Sequence, residues 1–215
     1  MSRLLSAHDL CEGAFLALKH AEGILEDAAG MFERSRFATS LVLSTSAREE
    51  LGRTKIILNA LVSPPLTTSV ESLKKACADH VKKLRHGATG SVVRVSVEEI
   101  TSLRSAFEDP TAPGSIAVLE RLEQAHKAAA RRDAEDTHRR RLSAQYVEPL
   151  EPGGWNTPSQ VSEAEAWHAY TITASDFADA VGGFFSDTAV AADSATWPEP
   201  PSFVAPRKLP PLGRA

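Results

Sequence analysis

The chain has 215 residues, 42% of them hydrophobic, which is enough for one buried core and predicts a single domain with an appended tail. A formal charge of −4 excludes a globally basic nucleic-acid coat, but Arg131, Arg132, Arg139, Arg140 and Arg141 cluster closely enough for a local polyanion site. Two cysteines without a CxxC pair read as core thiols, and the absence of a signal-like or membrane-spanning apolar window predicts a cytoplasmic protein with no membrane partner.

In chain order, Ser6 is a plausible N-cap for a long amphipathic helix to about Arg34, with Leu10, Ala14, Leu18, Ala21, Leu25 and Ala28 as its stripe. A second helix runs from about Arg36 to Leu61 and stops before Pro64 and Pro65. Its apolar stripe contains Glu50, and Glu49 lies beside it. A buried carboxylate is costly, so at least one of the two needs a partner: an Arg, a His, a backbone donor or a metal. A third helix is capped by Thr68 or Ser69 and continues through His80 to Gly87, followed by a loop or short extended piece to Val97 and a short helix to Glu108.

The turn at 109–114 (DPTAPG) precedes a helix that starts near Ser115 and, with no Gly or Pro from 115 to 148, extends as one piece or two collinear pieces. Its first half carries a stripe of Ile116, Leu119, Leu122, His126 and Ala129. After a loop at 149–158, Ser162 and Glu165 form a capping box for a last helix to about Phe185. From Trp197 the chain carries six of its thirteen prolines, which predicts a polyproline-like or disordered tail. The fold class is all-α, an irregular antiparallel bundle over 1–190 with a Pro-rich, disordered tail over 191–215.

Arg131, Glu135, His138, Leu142 and Tyr146 recur at steps of four, three, four and four residues, so one helical face carries a cation, a carboxylate, an imidazole and a phenol. Charged runs on a helix are commonly a solvated surface laced with weak ion pairs, and that reading stands beside the site-like one.

Three blocks together carry a resemblance: AREELGRTKIIL at 47–58, DHVKKL at 79–84, and THRRRLSAQYVE at 137–148 followed by a tryptophan and a final helix. In order and spacing they resemble the AbiV family of abortive infection proteins, over roughly Ser6 to Val181. The resemblance implies an HEPN-like helical domain. Many members of that superfamily are dimeric, metal-independent endoribonucleases whose signature is an arginine, four to six intervening residues and a histidine.

Arg132 with five intervening residues before His138, or Arg131 with six, satisfies that signature. On a continuous helix Arg131 returns to the face of His138, whereas Arg132 lies about 120° away. The superfamily often has Asn after the arginine; here Asp133 follows Arg132. The resemblance also implies RNA as substrate, a homodimer, and a phage-encoded activator protein whose arrival leads to translational shutdown.

In such a site His138 could deprotonate a ribose 2′-hydroxyl or protonate the leaving 5′-oxygen, while Arg131 or Arg132 holds the scissile phosphate. Glu50 could orient His138 or accept a second proton, and Tyr146 could donate to phosphate. Glu49, His80, Lys83, Arg139 and Arg141 are expected on the substrate-binding side. No metal or cofactor is called for. Two other classes compete. In one, the same fold is a non-catalytic binding module that acts through a protein partner. In the other, the ExxH motifs Glu123–His126 and Glu135–His138, with Glu49, Glu50 and His80, supply a dinuclear metal site, although that architecture takes its two motifs from different helices.

Overall fold

The computed structural model describes residues 3–62, 68–87, 100–102, 104, 108–109, 113–151, 153–191 and 202–212. The architecture is all-α. Helix α1 (Ala7–Glu33) opens with Ser6, whose hydroxyl accepts from Asp9 N–H while the Asp9 carboxylate accepts from Ser6 N–H. These bonds, the backbone one foremost, hold the Asp9 pKa down to about 2. The helix closes with Ser35 at φ 55° and an Arg36 N–H donated back to Met31 O, so the chain reverses in three residues. Helix α2 (Phe37–Val62) then runs back along α1.

The core lies where α1, α2 and the last helix meet. Leu10, Leu18, Leu25, Leu51, Leu58, Tyr170, Phe177 and Phe184 are buried together there. The α1 stripe is therefore the one its periodicity predicts. Helix α2 is central: it packs on α1, on the short helix before Gly87, on the long Arg-rich helix and on the last helix. Its burial is accordingly not confined to a stripe, and Ser40, Ser44, Arg48, Glu49, Glu50 and Thr54 are all buried.

The third predicted helix is two. Helix α3 (Val70–Ala78), capped by Ser69, ends at Asp79, whose ψ of 118° is extended, and α4 (His80–Gly87) begins at once. The Asp79 carboxylate accepts from Lys82 N–H, the local N-cap bond that compensates for the broken helix. The break lets α4 lie on α2 at backbone distance. A Cβ on Gly52 would stand 1.8 Å from the Lys83 carbonyl oxygen, and one on Gly87 would stand 2.4 Å from that of Arg48. The extended piece expected at 88–97 lies outside the described residues, as does most of the short helix expected before Glu108.

Helix α5 (Pro113–Gln145) is one continuous helix, as the lack of Gly and Pro predicts. Its buried positions are Ala130, Ala134 and Ala144 in the second half, whereas Ile116 and His126 of the expected first-half stripe are exposed. The loop after it holds a small antiparallel hairpin, β1 (Glu148–Pro149) with β2 (Trp155–Asn156), turning through Gly153 and Gly154 at positive φ. Helix α6 (Glu163–Ala191) starts at the expected Ser162–Glu165 capping box and runs six residues past the expected end.

Of the tail, residues 202–212 are described, and they form neither helix nor strand, as its prolines predict. They lie on α1 and α6, with Phe203 against Phe15, Phe177, Phe184 and Phe185. Tyr170 Oη donates to Arg207 O at 2.6 Å and Trp167 Nε1 to Pro210 O at 3.1 Å. The Arg207 guanidinium pairs with Glu26 and Glu33. Proline leaves carbonyls unpaired by any ladder, and side chains of α6 supply their donors. Phe203→Ala is expected to cost about 2 kcal/mol, less than a fully buried Phe because this ring is partly exposed. Chemical denaturation of the full chain measures it, and no change would mean the segment contributes nothing to folding.

Candidate functional site

The histidines meet where α2, α4 and α5 converge. Helix α2 contributes Glu49, whose side chain is 6% exposed, and α4 brings His80 Nδ1 to 2.7 Å and Lys83 Nζ to 3.3 Å of Glu49 Oε2. From α5, Arg141 Nη1 stands 2.9 Å from Glu49 Oε1 as an ion pair without hydrogen-bond alignment. His138, one turn before Arg141, lays its ring near-parallel to that of His80, with centroids 5.9 Å apart and planes 17° apart.

One carboxylate thus faces two fixed cations, Lys83 and Arg141, both mostly buried. The excess positive charge suits an anionic ligand beside the two imidazoles. Burial pushes the His138 pKa below the usual histidine range, and the nearby Arg141 and His80 push it the same way against Glu49 and Asp79.

That shift has a consequence for stability. A histidine whose pKa is lower folded than unfolded contributes stability that is present above about pH 6.5 and is lost as pH falls through the folded value. His86, depressed chiefly by burial, has the same sign. Wild type should therefore lose melting temperature relative to His138→Gln between about pH 7.5 and about pH 5.5. A constant difference between the two melts would refute it.

A second polar cluster lies on the other flank of α2. Arg48, also buried, donates from Nε to Asp176 Oδ2 of α6 at 2.9 Å, while its Nη2 lies 3.0 Å from Asp133 Oδ2 of α5. Arg48 Nη1 reaches Thr137 Oγ1 at 3.5 Å. Three helices are tied by one guanidinium. No local spacing marks Arg48 for this role, because its acceptors lie on distant helices.

The expected site residues divide. His138, Glu49, His80, Lys83 and Arg141 come together. Glu50 does not join them: it pairs with Arg53 at 3.0 Å and faces His20 of α1 at 3.7 Å. Adjacent residues on a helix point about 100° apart, so only one of the two carboxylates can face α5. Of these two glutamates, Glu49 is the one within electrostatic reach of His138. Tyr146 follows the end of α5, is 52% exposed, and still donates its backbone N–H to Leu142 O at 2.9 Å. Arg139 pairs with Asp136 at the surface. Arg131 is exposed and paired with Glu135 at 2.9 Å, and Arg132 is exposed. The helical register places Arg131 on the flank of His138 and Arg132 away from it.

Both ExxH motifs lie on α5, and Glu123 is paired with Lys127. Among the described residues no group of three or more His, Cys, Asp or Glu side chains is arranged to hold a metal ion. No described helix is long and apolar enough to cross a membrane.

An all-α bundle whose Arg-rich fifth helix sets Arg131 and Arg132 at the signature spacing before His138, with Glu49 of the second helix within electrostatic reach of that histidine, has the features of the HEPN class. The family model of AbiV, an HEPN family, matches residues 9–179, which is most of the chain. The chain belongs to the AbiV family. No curated protein and no solved structure matches it.

Proposed function

We propose that this protein is a bacterial anti-phage abortive infection factor acting as a metal-independent endoribonuclease, shutting down translation when a phage-encoded protein activates it. The observation that carries the reading is the meeting of His138 and His80 over buried Lys83 and Arg141, an imidazole pair against excess positive charge. Imidazoles exchange protons near neutral pH, and the cations can hold a phosphodiester and offset the charge it gains on attack.

Arg131 lies on the His138 flank of α5, where a phosphate could draw it from its exposed pair with Glu135; such surface pairs are weak. Two copies would join two such faces in one cleft for a single-stranded RNA loop.

The test is cleavage of total cellular RNA by purified protein in EDTA, wild type beside His138→Ala, with and without lysate of phage-infected cells. Wild type should cut and the variant should not. The binding-module reading draws on the pairing of Arg131 with Glu135, which leaves no signature arginine in contact with His138. It expects no cutting in any condition, with His138→Ala lowering stability or partner affinity.

A further inference from the structure

We propose that His80, oriented by Glu49, is a second catalytic residue of this site: its Nε2 takes the proton of the ribose 2′-hydroxyl, leaving His138 to serve the departing 5′-oxygen. The proposal rests on the ribonuclease reading above and adds to it a proton acceptor from α4.

Hydrogen bonding assigns the nitrogens. A carboxylate only accepts, so the 2.7 Å contact with Glu49 Oε2 places a proton on His80 Nδ1 and, in the neutral ring, the lone pair on Nε2. Glu49 is buried and held on its other oxygen by Arg141, so this orientation is fixed from behind, while half of the His80 side chain (50%) remains exposed. A carboxylate that sets the tautomer and a histidine that presents its other nitrogen form the base unit of many hydrolytic sites.

His138 is arranged the opposite way. Among the described residues its Nδ1 is buried with no hydrogen-bond partner, so a proton there is an unmet donor and the neutral ring keeps its proton on Nε2. His138 therefore faces a ligand as a donor and His80 as an acceptor. Centroids 5.9 Å apart let one phosphodiester meet both rings.

The step balances with these groups alone. The 2′-oxygen bonds to phosphorus as its proton passes to His80 Nε2, and the bond from phosphorus to the 5′-oxygen breaks. The leaving oxygen takes the Nε2 proton of His138 in its imidazolium form, which the negative charge of the bound phosphodiester favours against the lowering by burial. The products are a 2′,3′-cyclic phosphate and a 5′-hydroxyl.

The experiment uses the full chain and an oligoribonucleotide carrying a linkage that wild type cuts in total RNA, beside the same oligonucleotide with sulfur in place of the bridging 5′-oxygen. A thiolate leaves without protonation, so it restores a variant that has lost the acid and not one that has lost the base. His80→Ala and His80→Gln should each lose about 10²–10⁴-fold in kcat on both substrates, with melting temperatures near wild type. His138→Ala should lose a similar factor on the oxygen substrate and regain most of it on the sulfur one.

His80 variants cutting at the wild-type rate would overturn the proposal while leaving the ribonuclease reading intact. Rescue of those variants by sulfur would overturn it by making His80 the acid. If wild type cuts no RNA at all, the ribonuclease reading falls and this proposal falls with it.

Discussion

Glu49→Ala is expected to lower the unfolding free energy by about 3–5 kcal/mol. The side chains of Lys83 and Arg141 are only 6% and 13% exposed and both turn to this one carboxylate, so its removal leaves two mostly buried cations facing each other. Breaking a buried pair by deleting one partner costs far more than the pair itself contributes, because the surviving charge loses its compensation without regaining water. The double variant Glu49→Ala with Lys83→Met should recover much of the loss, since the less exposed cation goes with the anion. Urea denaturation of the three proteins measures this. A loss within about 1 kcal/mol for the single variant would mean that the cluster behaves as a solvated surface pair.

Gly52→Ala should cost about 3 kcal/mol or more. The added methyl would lie 1.8 Å from the carbonyl oxygen of Lys83, a backbone atom that cannot rotate aside, so α2 and α4 must separate. His80 and Lys83 ride on α4, so on the proposed ribonuclease reading the variant should also lose RNA cleavage where it still folds. Gly23→Ala in α1 and Gly182→Ala in α6 are the comparison. No side chain or neighbouring backbone lies within 4 Å of either added methyl, and each should be neutral or stabilising by about 0.5–1 kcal/mol. Thermal melts that rank Gly52→Ala beside those two would refute the close approach.

Much of the candidate site is legible in the sequence. The helix that carries it follows from an uninterrupted run between Gly114 and Pro149, and His138 and its cationic surroundings follow from composition within that run. Burial of a carboxylate on α2 followed from the place of Glu50 in its apolar stripe with Glu49 beside it, and both have the cationic or imidazole partners that burial demands of at least one. The choice between Glu49 and Glu50 was not legible. Both sit within a helix whose neighbours cover it on nearly every side, so no amphipathic stripe marks which flank meets which partner.

The docked tail was hidden for a related reason. Prolines exclude helix and central strand, which is how residues 202–212 in fact behave. Whether an extended segment stays in solvent depends on a groove elsewhere, here the aromatic floor of Phe15, Phe177, Phe184 and Phe185 and the donors Tyr170 and Trp167.

By itself the sequence determined what is local: the spans of α1, α2 and α5 and the Ser6 and Ser162 caps. These rest on bonds between residues a few positions apart, so a short window contains all their causes. Only the tertiary structure decided that α3 and α4 part at Asp79, that Gly52 and Gly87 let α4 touch α2, and that Glu49 therefore meets His80, Lys83 and Arg141 while Glu50 turns to α1. Those outcomes depend on which surfaces are buried against each other, a long-range choice that no single helix carries in its own residues.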